Sequence, residues 1–256
     1  MTTQDRIAKL RQNRVVALTA YDYPTARILD EAGIDLILVG DSLGMVFAGN
    51  PDTTSVTMDQ MIYHTTVVRR GVRQALLVSD LPYHSYDSTR EAVTNAQRLV
   101  NAGAEAVKLE GGLAVIEKVR AVLASGIQVA GHIGMLPQSL HREGSYKKKG
   151  KTDQEAAMLL EDARVLEEAG VFAIVLESIV PEVASEITRA LNIPTIGIGA
   201  GSGCTGEIAV VHDLAGFYPW FKPPFAKPRA CFADDLHRAA LAYAAAVRAP
   251  GETTVP

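Results

Sequence analysis

Five apolar runs in this chain of 256 residues each end on a side chain that can titrate. Asp41 follows LILVG, Asp80 follows LLVS, Glu110 follows VKL, His132 follows QVAG and Glu177 follows FAIVL. Carboxylates gathered in a low-dielectric pocket repel one another, so either some are protonated or a cation lies among them. Oxygen ligands without cysteine or paired histidines favour a hard ion such as Mg²⁺ over Zn²⁺. Such an ion keeps positions for substrate oxygens, and a 2-oxo acid can chelate it through ketone and carboxylate. Lys108 adds a cation between Val107 and Leu109, where a lysine is costly unless paired. Strand side chains alternate, so Lys108 and Glu110 point the same way, with Lys108 one layer below.

Each residue also has a plainer use. Asp41 and Ser42 suit the N-cap of a following helix. A lone histidine such as His132 is more often a satisfied, half-buried side chain than a catalyst. Glu110 precedes Gly111-Gly112 and could be a solvated loop residue. The joint pattern favours a site over any of these separately.

The elements that must carry these residues are readable from texture. Short runs rich in β-branched residues begin at Val15, Ile34, Ala75, Glu105, Ile127, Val171, Ile193 and Glu207. Most are continuously apolar, as strands covered on both faces are. Helical patterns lie between them, most clearly at Thr57 to Arg70, Ser88 to Ala102, Thr152 to Ala169 and Pro181 to Leu191. Gly33, Gly71, Gly103 and Gly170 stand where a helix C-cap wants glycine. Eight strands alternating with helices predict a closed parallel (β/α)8 TIM-type barrel in one domain spanning residues 1–256. A doubly wound open sheet is the alternative. Parallel strands put all five titratable ends on one face, the face that carries active sites in such barrels. Long loops are expected at Met45–Val56 and Pro137–Lys151, and a frayed tail after Val247.

Composition narrows the function. Lysine plus arginine total 25 and aspartate plus glutamate 29, a net charge of −4. No long basic stretch suggests a nucleic acid partner. No apolar run approaches the ~18 residues of a membrane span. Two cysteines, Cys204 and Cys231, and a polar start without a signal core fit a cytoplasmic protein. SYKKKGKT (from Ser145) nearly matches a phosphate loop, but it lacks the first glycine and a preceding strand. GSGCTG (from Gly201) matches G-x-G-x-x-G, but a strand follows instead of the required helix. The histidines show no zinc-ligand spacing.

LVGDSLGM (from Leu38), SDLPY (from Ser79), GAEAVKLEGG (from Gly103), GHIGMLPQS (from Gly131), VLE (from Val175) and IPTIGIGAG (from Ile193) run in order along almost the whole chain. In this the sequence resembles the ketopantoate hydroxymethyltransferase family, whose barrels are phosphoenolpyruvate mutase-like. The resemblance implies hydroxymethyl transfer from 5,10-methylenetetrahydrofolate to 3-methyl-2-oxobutanoate, giving 2-dehydropantoate in pantothenate synthesis. It implies Mg²⁺ held by Asp41, Asp80 and Glu110, some of them through water. Asp41, Ser42, Asp80, Lys108 and His132 would contact substrate, and Glu177 would be the general base. It also implies a homo-oligomer, a decamer of pentameric rings. The loops REGSYKKKGKT and CTGEI depart from the family pattern. Two other readings stand beside this one: a metal-dependent 2-oxo acid lyase or mutase, and a non-catalytic oxo-acid-binding protein.

Overall fold

All eight expected strands form, and they close into one parallel barrel in the order β1-β2-β3-β4-β5-β6-β7-β8. They are β1 (Val15–Thr19), β2 (Leu36–Val39), β3 (Leu76–Asp80), β4 (Ala106–Lys108), β5 (Gln128–Gly134), β6 (Ala173–Glu177), β7 (Thr195–Ile198) and β8 (Gly206–Ala209). The computed structural model describes residues 1–139, 147–220 and 223–249. The open-sheet alternative is thereby excluded. Backbone contacts divide the chain into two units, Met1–Ala209 and Val210–Pro256, and the whole barrel lies in the first.

The continuous apolarity of β2, β3 and β6 has the expected cause, since every residue in them is buried. Inside the barrel, Leu36, Leu38, Leu76 and Val78 share one cluster with the small Ala106, Ala130 and Ala173. Large side chains on one wall and small ones on the other fill the interior without a pore. Strand register sets what lies above this plug. Asp80 pairs with Lys108, Lys108 with Ala130, and Gly134 with Glu177. The charged side chains therefore occupy neighbouring positions at the C-terminal ends of the strands.

The lower mouth is closed by α1 (Thr3–Leu10), a helix the apolar pattern had not revealed. Its Thr2–Asp5 capping box starts it, and its Ile7 and Leu10 join the barrel cluster. Arg6 anchors it, ion-pairing with Glu105 at 2.5 Å and donating to the carbonyls of Gln74 and Arg73. Glu105 also meets Arg69 at 3.2 Å and accepts from the backbone N–H of Leu77. One nearly buried carboxylate thus ties two helices to the barrel floor. Replacing Glu105 with alanine leaves two arginine partners unmatched and should cost about 3 kcal/mol of stability. Urea unfolding checks the loss, and kcat/KM should stay unchanged because the floor carries no chemistry.

Around the barrel run α2 (Tyr23–Glu31), α3 (Leu43–Val46), α4 (Met58–Arg69), α5 (Thr89–Asn101), α6 (Ile116–Ala124), α7 (Asp153–Ala169) and α8 (Pro181–Ala190). Side chains of Asp22, Thr57, Ser88 and Thr152 cap their first turns, and Pro181 opens α8. Gly33, Gly103 and Gly170 take positive φ after their helices, as read from sequence. Gly71 does not. It is needed because an added Cβ would lie 2.8 Å from the backbone of α2.

Two boundaries differ from expectation. The strand read at Glu207–His212 ends at Ala209, and a helix, α9 (Val211–Ala215), takes over. A short apolar run has no periodicity to separate the two states. The loop read at Met45–Val56 is shortened by α3 at its start. Residues 140–146 and 250–256 lie outside the described residues, and with them Ser145 of the phosphate-loop look-alike, the first five residues of the REGSYKKKGKT stretch and most of the expected frayed tail. The second unit holds α9 and α10 (Phe232–Arg248), with Phe217 packed between His212 and Phe232.

Candidate active site

The C-terminal ends of β2 through β6 bring Asp41, Asp80, Lys108, Glu110, His132 and Glu177 together, all buried. Gly40 makes the close approach of the first two possible. A Cβ there would lie 2.9 Å from Ser42 Oγ and 3.6 Å from Asp80 Oδ2. The backbone N–H of Asp41 instead donates to Asp80 Oδ2 at 3.0 Å. Ser42 stands at the N-cap position of α3 but makes no cap bond; its hydroxyl meets Tyr21 Oη at 2.8 Å. The plain capping use of Ser42 is therefore not the one realised.

Lys108 is the hub. Its Nζ lies 3.1 Å from Asp80 Oδ1, 3.7 Å from Glu110 Oε1 and 3.2 Å from His132 Nδ1. Burial pulls the ammonium down, but the carboxylates of Asp80, Glu110 and Asp41 overcome it and hold Lys108 charged. Glu110 gains in return. Burial pushes it up, yet the Lys108 charge and the backbone N–H of Gln138 help bring it below the ordinary carboxylate range. Asp41 fares worst. Burial, then the charges of Asp80 and Glu110, raise it well above its ordinary value. Burial also raises Asp80, against the pull of Lys108 and the Asp41 N–H.

His132 links this cluster to Glu177. Its Nδ1 is 3.4 Å from Glu110 Oε1 and its Nε2 is 3.3 Å from Glu177 Oε2. Burial and Lys108 lower the imidazole, while the Glu110 and Glu177 carboxylates beside it raise it, with a balance near 9. Contact geometry opposes that protonated form. An ammonium 3.2 Å from Nδ1 repels an imidazolium and can donate only to a bare nitrogen. We favour the neutral ring, with its proton on Nε2 toward Glu177.

Glu177 is held by its backbone. Its carbonyl accepts from Met135 N at 2.9 Å, and a Cβ on Gly134, at φ +101°, would lie 2.3 Å from that carbonyl. Ser178 follows at φ +50°, a conformation costly for a residue with a side chain. Its N–H donates to the Ile198 carbonyl and its own carbonyl accepts from Lys149.

Two residues of this site escaped the sequence reading. Gln138, in the turn Pro137–Ser139, donates from Nε2 to Asp41 Oδ2 at 2.7 Å, and its backbone N–H donates to Glu110 Oε2 at 3.1 Å. Tyr86 donates its hydroxyl to Gln138 Oε1. Gln138 lies within GHIGMLPQS, so the stretch was visible while the role of a neutral amide was not.

The donor set suits a hard cation. It is all oxygen at Asp41, Asp80 and Glu110, three buried carboxylates around one lysine, and burial first of all raises Asp41 and Asp80. Among the described residues, no three acidic, histidine or cysteine side chains are already arranged to hold a metal ion. Mg²⁺ does not require three, since it binds through one or two carboxylates plus water and substrate oxygens. Among the described residues no helix is long and apolar enough to cross a membrane.

Residues 1–251 match the family model described as ketopantoate hydroxymethyltransferase. A 3-methyl-2-oxobutanoate hydroxymethyltransferase of Ignicoccus hospitalis is 53% identical over 229 residues, covering 89% of this chain and 87% of the relative. One from Hyperthermus butylicus is 49% identical over 257 residues, covering 98% and 89%. Among solved structures, phosphoenolpyruvate phosphomutase from Streptomyces platensis subsp. rosaceus superposes with a TM-score of 0.69 at 13% identity, covering 98% of this chain and 92% of that one. A 2,3-dimethylmalate lyase, a member of the PEP mutase/isocitrate lyase superfamily, gives 0.64 at 17% identity, covering 99% and 91%. At these identities the structural likeness speaks for the barrel alone.

Proposed function

Because the chain belongs to the ketopantoate hydroxymethyltransferase family and is an enzyme of that kind, we propose that it moves a hydroxymethyl group from 5,10-methylenetetrahydrofolate to 3-methyl-2-oxobutanoate, with Mg²⁺ in the carboxylate cluster. The observation that carries this reading is the convergence of Asp41, Asp80, Lys108, Glu110, His132 and Glu177 at one barrel mouth. Asp41 and Asp80 would hold the ion, with Glu110 acting through water. Bound there, the ion supplies Lewis acidity to the 2-oxo group of the substrate.

The chain's own residues do the rest. Ser42, with its hydroxyl oriented by Tyr21, donates to the substrate carboxylate. Glu177 takes the C3 proton, and the Lys108 ammonium faces the oxygen on which charge develops. His132 stands beside the base, with Nε2 3.3 Å from Glu177 Oε2 and no hydrogen bond between them. Water adds to the folate methylene carbon and both of its bonds to nitrogen break, leaving tetrahydrofolate and a one-carbon unit at the formaldehyde level; the C3 carbanion bonds to that carbon, and its oxygen takes up a proton. One water overall supplies the hydroxyl, and the products are 2-dehydropantoate and tetrahydrofolate. In the same reading the enzyme works in the cytoplasm as a homo-oligomer, a decamer of pentameric rings, on small molecules only.

The test follows the C3 proton of 3-methyl-2-oxobutanoate by NMR in deuterated water. Exchange should require a divalent cation and stop with EDTA. Added methylenetetrahydrofolate should then convert the substrate to 2-dehydropantoate. Cleavage products without folate would point to a lyase, and binding without exchange to a non-catalytic binder.

A further inference from the structure

Gln138 is 2% exposed, and every hydrogen on its carboxamide is engaged. Nε2 donates to Asp41 Oδ2 at 2.7 Å and to the Leu81 carbonyl at 2.9 Å. A backbone carbonyl only accepts, so the nitrogen of the amide must face Leu81 and the oxygen must face Tyr86. That leaves Oε1 accepting the Tyr86 hydroxyl. The backbone N–H of the same residue holds Glu110 Oε2 at 3.1 Å. One residue from the loop after β5 therefore grips two acids that belong to the ends of β2 and β4.

We propose that Gln138, seated by Tyr86, is a positioning residue of the active site, fixing the orientation and separation of Asp41 and Glu110 for the divalent cation and its 2-oxo acid. This rests on the proposed function above. Gln138 is not itself a ligand in this assignment, because its one ligating atom, Oε1, is already taken by Tyr86. Its grip on Asp41 uses only Oδ2, which leaves the second carboxylate oxygen for the ion. Carboxylates that bind metals are commonly held by such hydrogen bonds, and losing one costs ~10–100-fold in metal affinity or activity. Gln138 is well placed for this because the two acids approach from different strands and share no direct hydrogen bond. Asp41 touches Asp80 through its backbone, and Glu110 touches Lys108 and His132.

The test uses Mn²⁺ as an EPR-visible probe, titrated into the full-length wild type, Gln138→Met, Tyr86→Phe and Asp41→Asn, each with 3-methyl-2-oxobutanoate present. Methionine fills the space of glutamine without its donors. Gln138→Met should weaken Mn²⁺ binding ~10–100-fold and change the zero-field splitting of what remains bound. Tyr86→Phe should weaken it less, in the same direction, and it carries the test alone if Gln138→Met fails to fold. Asp41→Asn should lose binding. Unchanged or tighter Mn²⁺ binding in both variants, with Asp41→Asn still deficient, overturns the positioning role and leaves the metal site intact. No Mn²⁺ binding by the wild type overturns the metal reading, and this inference with it.

Discussion

Glu177→Gln should slow loss of the C3 proton from 3-methyl-2-oxobutanoate by ~10²–10⁴-fold while leaving oxo-acid binding within a few-fold. Glutamine keeps the shape of the side chain, and the backbone that seats it is fixed independently by Met135, Gly134 and Ser178. What disappears is an oxygen able to accept a proton. His132 cannot replace it, because its bare Nδ1 faces Lys108 and the proton-bearing Nε2 points at Glu177 itself. Deuterium incorporation followed by NMR measures the rate, and calorimetry measures the binding. Exchange within tenfold of the wild type would place the base elsewhere.

Lys108→Met should remove about 3–5 kcal/mol of stability near neutral pH, because it leaves buried carboxylates without their cation. The pH dependence has a definite sign. The pKa of Lys108 is raised in the folded protein above its ordinary 10.5. Its contribution is therefore complete below the ordinary value and fades only as pH rises through the folded one. The variant behaves oppositely to an acid-labile protein. Asp41 and Asp80, already raised, rise further without Lys108, and groups with raised folded values favour the fold below their unfolded pKa. The stability gap between variant and wild type should narrow from pH 8 to pH 5. Urea midpoints at the two pH values measure it, and a gap that widens on acidification would mean that Lys108 is not neutralising these acids.

The barrel was legible because its strands are short, apolar on both faces and punctuated by glycine, a texture few other folds share. The helix at the floor was missed. Ile7 and Leu10 are too few, in too polar a segment, to reveal a buried stripe before the barrel they close is known. The charged half of the site was also legible, since a lysine or glutamate at the end of an apolar run has to be matched by something. Gln138 and Tyr86 left no such mark. A neutral amide or a phenol is unremarkable in a loop, and only the fold shows Gln138 bonded to an aspartate 97 positions away. Gly71 illustrates a subtler miss: the residue was picked for its backbone freedom, but what it supplies is room for α2.

Glu105 and Lys108 stand three positions apart, the first just before β4 and the second at its end. The first knots Arg6 and Arg69 into the floor, and the second gathers the acids at the mouth. Selection for a hotter or colder habitat can therefore work on one end of this strand while the other stays as it is. In such a barrel, stability can be adjusted at the floor without disturbing the mouth, where Lys108 serves the fold and the reaction at once.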